Sequence, residues 1–428
     1  MTTATTLDML TFLYYWRGQT MRSLLYASTA AAVSAMSMFV VACASTDQPS
    51  VPEEPINIKV SEKFATNFFK LAAKKPDSNV VISPYSVSTA LSMAYNGANG
   101  KTKSEMQKVL GYEDLSNDAV NDQNAQLYKS LMHVNPTSEL TVANAMFANK
   151  NFVFNKTFME TNQKYYAAKL ETLDFADQAT VKTINNWVKD NTKAKIPSII
   201  DKVGADAVLY LVNAVYFKGV WLDEFKKDET QSVDFNLENG TKKPVQMMNR
   251  SAKMSYFAGD NFQAVALPYK DNRLQMCIFL PSEKSNLSAF ISSLTAENWK
   301  KWQTAFSREE GHLGLPRFKV EYKTELSKVL KAAGMPCAFE DNCADFKSMI
   351  EQNAVISRVL HKTYLEVNEK GTEAAAATAI EMSVTSAPMN PKPPFDMVCD
   401  RPFVVAIRDN KTDAILFIGA IVDPPAAD

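Results

Sequence analysis

The order in which hydrophobic periods follow one another constrains this chain most. Helix-like spacing fills its first part, strand-like runs fill the rest, and no alternation of strand with helix repeats. Val60, Phe64, Phe68, Leu71 and Ala72 recur at three- and four-residue steps, which puts an apolar stripe on one face of a first helix that Asp77-Ser78-Asn79 ends. Val80-Val81-Ile82-Ser83-Pro84 reads as a short buried strand stopped by proline, and helical spacing resumes over residues 86–96 until Gly97. Further helices are expected over residues 121–133 and 181–191, and strands over 208–215, 263–267, 275–280 and 315–321. The clearest hairpin pairs residues 403–407 with 414–422 across a polar turn at Asp409-Asn410-Lys411. This order predicts an α+β fold built on antiparallel or mixed sheets.

Composition narrows the function. No internal segment of the 428 residues reads as a linker, so one large domain or two merged lobes are both allowed. Hydrophobic residues at 46% and charged residues at 22% provide for a sizeable core and exclude disorder for most of the chain. Lys and Arg total 46 against 47 Asp and Glu, with no basic stripe, so nucleic acid is not an expected partner and a heparin-like polyanion is disfavoured. A hydrolase needs a nucleophile, a base and an orienting acid, and only His133, His312 and His361 are available as imidazole bases. No GxSxG elbow, HExxH helix, GxGxxG or GxxxxGK[ST] loop, and no Cys/His metal spacing is present. An enzyme is left only if its site is too dispersed to show a motif, and no cofactor and no metal are expected.

Met21-Arg22-Ser23, an apolar run of small residues over 24–42, and Val40-Val41-Ala42-Cys43 resemble a bacterial lipoprotein signal. The resemblance implies a signal segment at 1–42, with Met21 as an alternative start, and a lipidated Cys43. Residues 44–55, rich in Ser, Pro and acid, read as a flexible tether, and the folded domain is expected over 56–428. The expected location is the bacterial cell envelope, at the outer membrane or cell surface, with the membrane reached through the N-terminal lipid only. Cys277, Cys337, Cys343 and Cys399 either form disulfides, in one of three pairings, or stay as buried free thiols.

One segment is unusual. Glu369-Lys370-Gly371-Thr372-Glu373 runs into Ala374-Ala375-Ala376-Ala377-Thr378-Ala379, after a strand-like Thr363-Tyr364-Leu365-Glu366-Val367 and before Pro388, Pro391, Pro393 and Pro394. Gly371 reads as a hinge. Thr372, Ala374, Ala376 and Thr378 alternate and are small enough to enter a crowded sheet face. The prolines cannot join a central strand and read as an extended, exposed arm. By composition alone an alanine-rich linker or short helix is the commoner outcome.

Context changes that reading. Residues 79–99 (NVVISPYSVSTALSMAYNGAN), 184–200 (INNWVKDNTKAKIPSII), 211–221 (LVNAVYFKGVW), 315–321 (LPRFKVE), 330–339 (LKAAGMPCAF), 361–377 (HKTYLEVNEKGTEAAAA) and 400–403 (DRPF) resemble, in order, motifs of the serpin family of protease inhibitors. The resemblance implies about three β-sheets, eight or nine helices and an exposed reactive-centre loop over about 369–399. It implies a monomer whose partner is a target endopeptidase, serine or cysteine, trapped as an acyl complex when the cut loop inserts into the central sheet; serpin loop insertion is itself a standard example of a protein switch. Glu369, Gly371 and Thr372 to Ala377 match the hinge. Ser83, Ser86, Asn213 and His361 match the polar cluster beneath the sheet opening, and Trp221 the tryptophan under its top. Counting on from Gly371 by the family's spacing puts the reactive bond between Thr385 and Ser386, with Val384 and Met382 as alternatives. No Lys or Arg lies between Lys370 and Lys392, which points to elastase-like or subtilisin-like targets. The arm up to Phe395 is a few residues longer than the family pattern. The rival expectation is a non-inhibitory member acting as a binding protein.

Overall fold

A computed structural model describes residues 62–74, 77–132, 137–372 and 393–425. Val60, His133, the signal segment with Met21 and Cys43, the hinge residues Glu373 to Ala377 and the candidate bond residues Met382, Val384, Thr385 and Ser386 lie outside the described residues.

Nine helices are present among the described residues: α1 Glu62–Ala72, α2 Pro84–Tyr95, α3 Gly100–Leu110, α4 Asn117–Met132, α5 Lys156–Tyr166, α6 Ala179–Asn191, α7 Leu287–Ser293, α8 Ala296–Gln303 and α9 Ser327–Ala333. The α2 start follows from its sequence. Ser83 is extended, its hydroxyl accepts the Ser86 N–H at 3.3 Å, and Pro84 fills the first turn, where no backbone donor is needed.

The strands form two hydrogen-bonded sheets. The larger has nine strands: β1 Val80–Ile82, β15 Ile415–Ile421, β14 Phe403–Asp409, β8 Leu274–Pro281, β7 Phe262–Pro268, β6 Lys242–Ala258, β9 Ser307–Pro316 and β13 Phe395–Val398 in that order, with β5 Gln231–Asn236 also on β6. Strand β6 is 17 residues long; it pairs with β5 over 242–247, with β9 over 247–256 and with β7 over 255–258, so two of the expected three sheets are joined through one strand. The third is a six-stranded sheet in the order β10 Phe318–Glu325, β11 Ile356–Asn368, β12 Gly371–Thr372, β4 Leu209–Val220, β2 Ser138–Asn149, β3 Lys169–Leu173.

Strand β4 shows why its sequence reads LYLVNAVYF with hardly a polar residue. Alternate side chains leave on opposite faces. Val212, Ala214 and Tyr216 pack under α6 with Ile184 and Val188, while Val215 and Phe217 pack against the larger sheet. With both faces covered there is no solvent side to mark by alternation. The stretch expected as one strand over 315–321 is two. Pro316 closes β9, Phe318 opens β10, and Arg317 is the junction, as expected of a proline that cannot donate to a continuing ladder.

Candidate functional site

The centre of the six-stranded sheet contains a seam. Strands β11 and β4 pair in parallel from Ile356 opposite Leu209 up to Tyr364 opposite Tyr216. Above that point they part, and β12 enters between them, antiparallel to both: Thr372 faces Val367 on one side and Gly219 on the other. Gly371 sits at φ 148°, and a Cβ there would lie 2.0 Å from the Gly219 carbonyl oxygen, so only glycine fits. Thr372 is fully buried, and its hydroxyl meets the Tyr269 hydroxyl at 2.8 Å. Burial keeps that phenol protonated by pushing its pKa well above the usual range.

The turn that delivers β12 is gripped at each residue. Trp221 donates from its indole to the Asn368 carbonyl at 3.0 Å and from its backbone to the Lys370 carbonyl at 2.9 Å, while Phe225 N–H donates to the Glu369 carbonyl at 2.8 Å. The indole stacks on Tyr269 with ring centres 4.7 Å apart. The Glu369 carboxylate accepts from Arg317 and, at 2.7 Å, from the Thr230 hydroxyl. Burial alone would raise the Glu369 pKa; the Arg317 guanidinium and the Thr230 hydroxyl outweigh it and hold the group below the ordinary carboxylate value.

Midway down the seam, His361 on β11 stands opposite Asn213 on β4, both fully buried. The Ser83 N–H donates to His361 Nε2 at 3.1 Å, so the neutral tautomer carries its proton on Nδ1 and donates it to the Asn213 carbonyl oxygen. Asn213 in turn donates to the Ser86 carbonyl at 3.2 Å, to the Ser86 hydroxyl and to Asn144 Oδ1 at 2.5 Å. Desolvation pushes the His361 pKa down to about 3. Thr363, one step along the same face, donates to the Val81 carbonyl at 2.7 Å. All four residues expected in the polar cluster, Ser83, Ser86, Asn213 and His361, are thus one buried, hydrogen-bonded network straddling the seam.

A seam of this construction, with a glycine-threonine strand start lodged in its mouth, agrees with the family model that matches the chain: Serpin (serine protease inhibitor), over residues 59–424. The chain belongs to the serpin family. Among curated relatives, Serpin B6 of Pongo abelii is 38% identical over 372 residues, covering 84% of this chain and 97% of that protein. Serpin B8 of Homo sapiens is 38% identical over 375 residues, with the same coverages. Among solved structures, the thermophilic serpin tengpin in its native state superposes with a TM-score of 0.79 at 32% identity, covering 86% of this chain and 94% of that one. Human thyroxine-binding globulin complexed with thyroxine gives 0.78 at 26% identity, covering 87% and 98%. The serpin fold therefore houses, among these relatives, a protein whose name describes binding.

In this serpin the two described histidines do not build a hydrolytic site. His361 faces a backbone N–H and an amide. His312 on β9 is held by Asp396 of β13 at 2.8 Å and by Asn249 at 3.2 Å, so neither ring nitrogen meets a serine or cysteine nucleophile. Among the described residues no cluster of three or more His, Cys, Asp or Glu could hold a metal ion. Cys337 and Cys343 form a disulfide with Cα atoms 4.9 Å apart, while Cys277 and Cys399 are free and buried. Burial pushes the Cys277 thiol up to about 11.

Sequence reasoning missed Tyr269, Arg317, Thr230 and Asn144. A signal existed for Asn144. It is the one polar residue in VANAMFA, as Asn213 is the one amide in LVNAVYF, and the two stand directly opposite each other across β2 and β4. Tyr269, Arg317 and Thr230 lie at strand ends far apart in sequence, where nothing but the fold brings them to Glu369 and Thr372.

Proposed function

We propose that this serpin is a suicide inhibitor of serine, and by the same chemistry cysteine, endopeptidases of elastase-like or subtilisin-like preference, and that it acts by inserting its cleaved loop into the β11–β4 seam. The observation that carries this reading is β12, two residues of a strand already seated between β11 and β4 and antiparallel to both. If the chain continues in that register, Ala374 falls opposite Phe217 and Leu365, Ala376 opposite Val215 and Thr363, and Thr378 opposite Asn213 and His361. The small side chains meet the buried face and the one hydroxyl meets the polar network, so the sequence from 372 to 378 fits the seam position by position.

The protease serine attacks the Thr385 carbonyl carbon, the bond to Ser386 breaks, and the new amine leaves with the proton supplied by the protease's own histidine. The remaining ester joins the protease to residue 385. Insertion then exchanges one parallel ladder, β11 on β4, for two antiparallel ones, and antiparallel pairing is the more stable per residue. The driving force is stored in the uncut fold, whose persistence is kinetic. Cysteine proteases form a thioester by the same displacement.

The uncharged stretch from Met382 to Asn390 supports a small or medium apolar primary specificity. We read Cys43 as lipidated and the inhibitor as a monomer held at a bacterial envelope by residues 44–55; the support is the Met21-to-Cys43 pattern and its Pro- and acid-rich continuation. A binding role without inhibition, the rival reading, requires no small-residue hinge, and Gly371-Thr372 with Ala374 to Ala377 speaks against it. Mixing the protein with pancreatic elastase and with trypsin, followed by denaturing gels and mass spectrometry, tests the proposal. A covalent complex with elastase and a released peptide beginning at Ser386 is expected. Clean cleavage with no complex across a broad protease panel would overturn inhibition and leave the fold untouched.

A further inference from the structure

The foot of the seam is built differently from its middle. Ile356 faces Leu209 and Arg358 faces Tyr210, so the β11 register slips by one residue and Ser357 is left as a bulge. A bulge interrupts the ladder and strands N–H groups that a regular strand would satisfy with carbonyls. Here the Ser357 hydroxyl oxygen takes them: it accepts from Val208 N–H at 2.8 Å and from Leu209 N–H at 3.4 Å. The Val208 carbonyl is already engaged by Asn149 N–H at 2.9 Å, so this end of β4 is tied to β2 by backbone and to β11 by one side chain. Beside the bulge, the Arg358 guanidinium lies over the Tyr210 ring at 6.0 Å.

We propose that Ser357 is a positioning residue that latches the foot of the seam, setting how readily β11 and β4 separate along their full length. The proposal rests on the inhibitory reading above and deepens it by naming a residue that governs the opening step. A strand entering between β11 and β4 presents its own carbonyls to β4 and leaves no work for the hydroxyl, which belongs to a partly exposed residue and can turn to water. The latch therefore stabilises the uncut protein alone. Removing the hydroxyl raises the energy of the starting state without touching the inserted state, so the seam opens faster.

The test compares the full chain with its Ser357→Ala and Ser357→Thr variants. Thermal midpoints are taken before and after cleavage of the loop, and tryptophan fluorescence follows insertion after mixing with protease. In Ser357→Ala the uncut midpoint should fall by about 1–4 °C, as expected for stranded donors in a domain of this size. The cleaved form should melt unchanged and insertion should speed up about five-fold. Ser357→Thr, which keeps the hydroxyl on a strand-compatible side chain, should restore both values. An equal fall in cut and uncut forms, with insertion unaltered, would mean Ser357 merely supports a strand end and would overturn the latch. Absence of a covalent complex in the unsubstituted chain would instead overturn the inhibitory reading beneath it.

Discussion

The two sheets are held together by different chemistry. In the nine-stranded sheet the β14–β15 hairpin lies between β1 and β8, and every residue of Ile415–Ile421 is buried: isoleucines, Leu416, Phe417, Gly419 and Ala420 packed on both faces. In the six-stranded sheet the β11–β4 seam is lined by Ser83, Ser86, Asn213, His361 and Thr363, fully buried and hydrogen-bonded. Apolar packing is non-directional and offers an incoming strand nothing to exchange. A hydrogen bond can be handed over one for one, at little net cost when the replacement is as good. On the insertion reading, the seam that opens carries exchangeable hydrogen bonds while β15 is hydrocarbon throughout; the neighbouring β14 ends on a buried ion pair, Asp409 with Arg273.

The sharpest way to break that comparison is to jam the seam. Thr372→Arg forces a charge into a fully buried position against Tyr269, and a buried unpaired charge costs several kcal/mol. Covalent complex formation with elastase should drop by about 100-fold or more, since each ~1.4 kcal/mol is worth about a factor of ten; unchanged inhibition would rule insertion out. Next come two truncations that set the sheets against each other. Ile418→Ala should cost about 2–5 kcal/mol in cut and uncut forms alike. Asn213→Ala leaves His361 Nδ1 and Asn144 Oδ1 without a partner and should cost about 1–3 kcal/mol in the uncut form. In the cut form, where the seam's bonds are redistributed, Asn213→Ala should cost less. Equal costs in both forms for both variants would erase the distinction between the sheets.

The smallest effect is on pH dependence. The His361 pKa is depressed to about 3 in the fold against about 6.5 when unfolded, so the unfolded chain binds the extra proton. Its contribution is complete above about pH 6.5 and is lost as pH falls toward 3. Between about pH 7.5 and about pH 5 the uncut form should lose about 2 kcal/mol through this group. Glu369, also depressed, adds its own loss only below the ordinary carboxylate range. His361→Gln should flatten the slope above about pH 5, as read from denaturation midpoints, and a slope identical to that of the unsubstituted chain would show that His361 is not the sensor.

Much of this architecture is legible in the amino-acid sequence. The helix at α2 and the hairpin of β14 and β15 follow from local signals, helical spacing resumed after a proline and strand-like runs flanking a polar turn, and a glycine before a run of small residues reads as a hinge; the polar cluster of Ser83, Ser86, Asn213 and His361 is legible only through the resemblance to the serpin family. The features that are not legible have two physical causes. Strand β6 spans 17 residues of mixed polarity because its ends serve different partners, so no single period marks it. Arg317, Thr230 and Tyr269 act through contacts with Glu369 and Thr372 that join distant parts of the chain, and propensity carries no information about such pairings. The Ser357 bulge is of the same kind, since a one-residue slip exists only once both strands are in place.

Cutting the loop once and melting the product tests the central claim most directly. A chain nicked between residues 382 and 386, with both fragments retained, should melt far above the uncut chain. The amides of Leu211 to Tyr216 on β4 should gain protection from hydrogen exchange, because a new antiparallel ladder has formed on that strand. A nicked chain that melts at or below the uncut midpoint, with exchange along β4 unchanged, would contradict the claim that this seam opens to receive its own loop.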